Sequence, residues 1–182
     1  VVFGCDEESG FKCIERYVQT EEAPTYGVAP DAGWPLIHAE KGIANFIVKV
    51  PLFGKSLRLK SIVGGQRPNI VIDTAQATLD VSEAVRGYVE GKIAEGWDRN
   101  ISTSWNGAEL TIQAQGKASH GSWPFGGDNA AIRIMRFLME IAPLEDQEAY
   151  TELFEMTHIG GLGIGIDGRD EITDLTCNLG II

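Results

Sequence analysis

The chain has 182 residues, enough for one ordinary domain with its own core, and its 43% apolar and 23% charged residues are the proportions of a soluble globular protein. A formal net charge of −11 argues against nucleic acid as a main partner, because phosphate recognition needs clustered Lys and Arg. No run has the length of a membrane span or the layout of a secretory signal, and three separated cysteines, Cys5, Cys13 and Cys177, without a CxxC pair, point to reduced, buried thiols in a cytoplasmic setting.

In chain order, Val1-Val2-Phe3 reads as the end of a buried strand. A helix through Thr20 follows, with Ser9 as its cap and Phe11, Ile14 and Val18 at roughly helical spacing. The Pro- and Gly-rich stretch TEEAPTYGVAPDAGWP is a loop or broken strand. From Ile43 the texture changes. IANFIVKVPL, SLRLKSIVGG and NIVIDTAQATLDV alternate apolar and polar residues, as half-buried antiparallel strands do. SEAVRGYVEGKIAEGW predicts a helix capped by Ser82, with Ala84, Val85, Val89 and Ile93 as its apolar stripe. NGAELTIQAQGKAS predicts a strand entered through an Asn106-Gly107 hairpin turn. GGDNAAIRIMRFLMEIA predicts a helix capped by Asp128, stopped before Pro143 and buried through Ile132, Met135, Leu138 and Met139. DQEAYTELFEMTHI is a further helix, and the Gly-rich loop GGLGIGIDG leads to a final strand, DLTCNLGII. Both ends open or close on apolar, strand-like runs, and the chain is read as a fragment of a longer protein.

This order predicts an α+β fold, an antiparallel sheet covered by helices on one face, with a short α/β segment in front of it. Residues 1–41 differ in kind from residues 42–182, and the boundary is placed near Lys41-Gly42.

Three places carry chemistry. In GCDEESG, adjacent carboxylates Glu7 and Glu8 at a strand end can act as a proton-transfer base and a metal ligand; they can equally be acidic residues favoured by a helix N-terminus. In VAPDAGWP, Asp31 offers one hard oxygen donor, or serves as an ordinary turn residue after Pro. In GKASHGSWPFGGDNA, His120 stands between the small residues Ser119 and Gly121. There it can point outward and donate to a developing oxyanion, or simply be a surface-loop histidine. Trp34, Trp97, Trp105 and Trp123 read as packing residues, with Trp123 near enough to His120 to line a pocket.

Taken together, GCDEESG, APDAGWPLIHAEKG, GGQRPN and GKASHGSWPFGGDNA, in that order and spread over the chain, resemble the co-catalytic di-zinc peptidases. That family (clan MH) includes aminoacylases, glutamate carboxypeptidase relatives and carnosinase, and the match is to its PepV-like Xaa-His dipeptidase branch. The resemblance implies a catalytic domain holding two zinc ions, represented here by residues 1–41. It also implies a ferredoxin-like lid or dimerisation domain, residues 42–182, incomplete at its C-terminus. It implies that Glu7 is the general base, that Glu8 and Asp31 are zinc ligands, and that His120 reaches the scissile carbonyl oxygen. Asn69 would contact substrate. The family's upstream His-x-Asp has no counterpart in this sequence, and its last zinc-binding His and its carboxylate-binding Arg would fall beyond Ile182. Hydrolysis of a small peptide is therefore expected of the full-length protein, with the lid a possible homodimer contact, and this chain is expected to be inactive alone. A non-catalytic binding or dimerisation module, and a deacylase or carboxypeptidase of the same family, are the alternatives.

Overall fold

The computed structural model describes residues 2–7, 10–28, 30–31, 33, 35, 37–51, 54–96, 98–166, 168–169, 171 and 173–182. The chain divides into two compact units, Val1–Ala44 and Asn45–Ile182.

Among its described residues the first unit contains one α-helix, α1, Lys12–Thr20. Its cap is not where the sequence reading put it. Ser9 lies outside the described residues, and the helix starts at Lys12, where the Asp6 carboxylate accepts from the backbone N–H of Lys12 (2.7 Å) and of Cys13 (3.1 Å). Those are two of the donors that a helix N-terminus leaves without intrahelical partners. Phe11, immediately before the helix, sits in the left-handed region at φ 57°, the one non-glycine with positive φ among the described residues. The strand expected at the start is absent from the described residues, and Val2 and Phe3 are exposed. An apolar run becomes a strand only where a neighbour takes its N–H and C=O groups, and no strand is described in this unit.

The second unit is built on a four-stranded antiparallel sheet: β1 Leu57–Gly64, β2 Thr74–Val81, β3 Ile101–Asn106 and β4 Glu109–Gln115, in the spatial order β1-β2-β4-β3. Helix α2, Glu83–Ala94, connects β2 to β3, and β4 lies between those two strands. This is the split β-α-β arrangement of ferredoxin-like sheets, with one edge strand moved to the front of the chain.

One face of the sheet is buried. Leu57 and Leu59 on β1, Ala75, Ala77, Leu79 and Val81 on β2, and Leu110, Ile112 and Ala114 on β4 all point into the core. β1 keeps this up only through a bulge: Leu59 pairs with Leu79 and Ser61 with Thr78, so Lys60 is the extra residue and Ile62 turns inward again. The opposite face is polar. It carries the pairs Arg58–Asp80 (2.6 Å) and Lys60–Glu109 (2.6 Å) and a Gln76–Gln113 amide bond of 3.0 Å.

Helix α3, Ala130–Ile141, lies on the buried face, and α4, Leu144–Glu155, packs on α3. That sandwich corrects the expected burial. Met135 and Leu138 are buried as read, but Ile132 and Met139 are only half-buried, while Ile134, Phe137 and Ile141 are fully inside. A helix covered on two sides buries more than one stripe. Its cap is Asn129 rather than Asp128: the Asn129 Oδ1 accepts from Ala131 N (3.0 Å) and Ile132 N (3.3 Å), whereas Asp128 pairs with Arg133. In α2, Val89 is buried and Val85 and Ile93 pack on the core, but Ala84 is exposed. Ser82 holds the N-cap position without using its hydroxyl, which is buried without a partner.

Three further expectations are corrected. Residues 43–51 form no strand, and Ile43, Phe46, Ile47 and Val48 are exposed. Residues 101–106, not read as a strand, form β3 and join β4 through Gly107 at φ 59°. The last segment is extended chain rather than a strand. Gly64 and Ile182 exchange both backbone hydrogen bonds (3.1 and 3.0 Å), and Leu179 and Ile182 pack against the core.

Two side chains on α4 fasten the entrance of β1. Asp146, 2% exposed, accepts from the backbone N–H of Lys55 (2.5 Å), Ser56 (2.9 Å) and Leu57 (2.7 Å). The Tyr150 hydroxyl donates to the Leu57 carbonyl at 2.6 Å. Burial, and then the neighbouring Asp146 charge, push the Tyr150 phenol well above its ordinary range.

Candidate functional site

His120 and Asn69 come together through the backbone. Ile70 and His120 form an isolated antiparallel bridge, in which Val71 N–H donates to Ser119 O (2.9 Å) and Gly121 N–H donates to Asn69 O (2.6 Å). The two chains touch closely at Gly121, where a Cβ would come within 3.1 Å of the Asn69 carbonyl carbon and oxygen. Glycine is what allows residue 121, next to His120, to approach the Asn69 backbone this closely. His120 is exposed and Asn69 half-buried.

The ring of His120 is oriented from its own loop. Ser122 N–H reaches His120 Nδ1 at 3.2 Å, and Ser122 Oγ lies 2.8 Å from the same nitrogen. A backbone amide can only donate, so Nδ1 is the acceptor and the neutral ring carries its proton on Nε2. The exposed imidazole therefore presents an Nε2–H donor. Beyond it the loop is held by Trp123 N–H to His120 O (2.9 Å) and Ser119 Oγ to Trp123 O (3.0 Å). Paired backbone bonds between Lys117 and Asp128 close its base.

Trp123 does not pack as expected. Its side chain is exposed and stands edge-on to Phe125 at 5.7 Å between ring centres. A cavity of about 390 Å³ is lined by Phe125, Asp128, Arg133, Arg136 and Asn178, among others, and by neither His120 nor Trp123. Trp105 is half-buried against the core under the Arg86 guanidinium, 4.7 Å from the ring centre, and Trp34 and Trp97 lie outside the described residues.

In the first unit, Glu7 and Asp31 are exposed, and Glu8 lies outside the described residues. Among the described residues, one group of three side chains could converge on a metal, and it contains neither Glu7 nor Asp31. It is Cys5, Asp6 and Cys13. Glu7 and Asp31 are the two described members of the carboxylate set that the resemblance implies, and a zinc site takes three or four protein donors. The thiols also depart from expectation. All three are free, but Cys5 is exposed and Cys13 and Cys177 are half-buried. Hydrogen bonds from the Cys13 thiol and then from its backbone N–H hold the Asp6 carboxyl below its usual range. No described helix is long and apolar enough to cross a membrane.

No protein-family model matches the chain. A protein named "Putative dipeptidase" from Staphylococcus saprophyticus is 36% identical to it across the whole chain. Proteins of that name from Staphylococcus haemolyticus and Staphylococcus epidermidis are 33% and 34% identical, again over the whole chain. The chain spans 41% of the length of these relatives. From end to end, then, it is similar to proteins that carry a dipeptidase name.

Proposed function

We propose that this chain is a portion of a dipeptidase of the di-zinc peptidase family, in its PepV-like Xaa-His branch, that works on small peptides in the cytoplasm. The observation that carries the proposal is the antiparallel bridge of Ile70 with His120, which joins the segment of Asn69 to that of His120, whose Nδ1 is occupied by Ser122. In the protein as a whole, His120 donates its Nε2–H to the oxygen of the scissile carbonyl as charge builds there. The Asn69 amide orients the substrate. Glu7 takes the proton of the attacking water and passes it to the leaving amine. Two zinc ions belong to this proposal for the whole protein, with Glu8 and Asp31 among their ligands. The family's His-x-Asp has no counterpart in this sequence, so the chain by itself is proposed to be inactive.

The test uses the whole protein and a panel of dipeptides. His120→Ala lowers kcat by about 100–1000-fold, the cost of one oxyanion donor. Glu7→Gln abolishes hydrolysis while metal content, read by elemental analysis, stays at the wild-type level. Unchanged turnover in His120→Ala would overturn the assignment. Absence of peptide hydrolysis in the whole wild-type protein would favour a binding or dimerisation module instead.

A further inference from the structure

We infer that Cys5, Asp6 and Cys13 form a binding site for one thiophilic divalent cation of the zinc or cadmium class. The two sulfurs and a carboxylate oxygen all lie within 4.8 Å of one another. A tetrahedral shell with metal–sulfur bonds near 2.3 Å places its donors roughly 3.5–3.8 Å apart, so closure needs a movement of about 1 Å. Cys5 is exposed at the chain's surface, where such a movement meets least resistance.

The surroundings suit a ligand set. Asp6 accepts one N–H at each oxygen, from Lys12 (2.7 Å) and Cys13 (3.1 Å), and the lone pair that the Cys13 thiol occupies is freed when that thiol gives up its proton on binding. Outer hydrogen bonds of this kind orient a ligating carboxylate. Cys13 is fixed on the first turn of α1, and Gly4 packs against it so closely that a Cβ there would come 2.9 Å from its sulfur. Two thiolates select a soft or borderline cation over magnesium or calcium. On binding, each thiol releases its proton to solvent as the metal–sulfur bond forms, and the fourth position stays open to water. The site stands apart from the dipeptidase proposal, because all three donors belong to this chain and the readout below is not activity.

The experiment titrates the purified chain with cadmium and follows the thiolate-to-cadmium charge-transfer absorption. The expected result is a band that saturates at one cadmium per chain and that zinc displaces. Cys5→Ser and Cys13→Ser each remove it, and Cys177→Ser leaves it intact. Because Asp6 also caps α1, the thiol variants carry the test, with circular dichroism confirming that they remain folded. A band that survives loss of Cys5 or Cys13, a band that follows Cys177, or no band at all would overturn the site.

Discussion

Asp146 offers the sharpest test of how the second unit is held together. Its carboxylate is 2% exposed and is the shared acceptor for three consecutive backbone donors at the entrance of β1. Asp146→Ala leaves Leu57 N–H buried with no partner, at about 1–3 kcal/mol. The Lys55 and Ser56 amides are part-buried and recover some hydration, so each adds about 0.5–1.5 kcal/mol. The Asp146 charge in the first turn of α4 adds about 0.3–1 kcal/mol through the helix dipole. The expected loss is about 2–7 kcal/mol, a large share of the 5–15 kcal/mol typical of a domain. Asp146→Asn separates acceptor geometry from side-chain size. Its carbonyl can take the place of Oδ2, which serves Ser56 and Leu57, while its NH₂ faces the Lys55 donor; about 1–2 kcal/mol is expected. Urea unfolding of the chain, followed by tryptophan fluorescence, measures both. A loss below about 1 kcal/mol for Asp146→Ala, or equal losses for the two variants, would refute the reasoning.

Tyr150 gives a pH test. Its phenol is raised above its ordinary value of 10.0, so it stabilises the fold fully below that pH, and the contribution is lost as pH rises through the folded-state value. Tyr150→Phe should therefore lower stability near neutrality by about 1 kcal/mol and flatten the alkaline limb of the stability–pH curve relative to wild type. Asn129→Ala should cost about 1–2 kcal/mol by removing the cap of α3 and the bond to Leu179 O, and Asp128→Ala less, which chemical denaturation will rank. Gly121→Ala, with its Cβ within 3.1 Å of Asn69, should shift His120 against Asn69 and, in the whole protein, reduce kcat about tenfold while leaving the unfolding midpoint nearly unchanged.

Local pattern fixed much of the second unit. Period-two alternation in 57–64, 74–81 and 109–115 placed three strands, and the stripe through Val85, Val89 and Ile93 placed α2. The same alternation misled at 43–51, because a pattern specifies which face a strand would bury but supplies no partner for its backbone. β3 was missed for the opposite reason. Its residues are mostly Ser, Thr and Asn at an edge, half-buried at best, and its identity comes from pairing with β4. Capping failed by one residue at α3 and by several at α1, since Asp128 and Asn129 are both competent caps and only the turn geometry chooses.

The motifs around His120 and Asn69 were legible as residue types in shaped loops, but their adjacency was not. They stand far apart in sequence and meet only through the pairing of residues 69–71 with 119–121. Nor could spacing announce the three bonds at Asp146 or the convergence of Cys5 and Cys13. What the sequence by itself determined was the four helices, three of the four strands and the small residues that shape the His120 loop, because those depend on neighbours one to four positions away. Which carboxylate caps a helix, which anchors a strand and which side chains share a site were decided by the tertiary structure, because each depends on groups that only the folded chain brings within hydrogen-bonding reach.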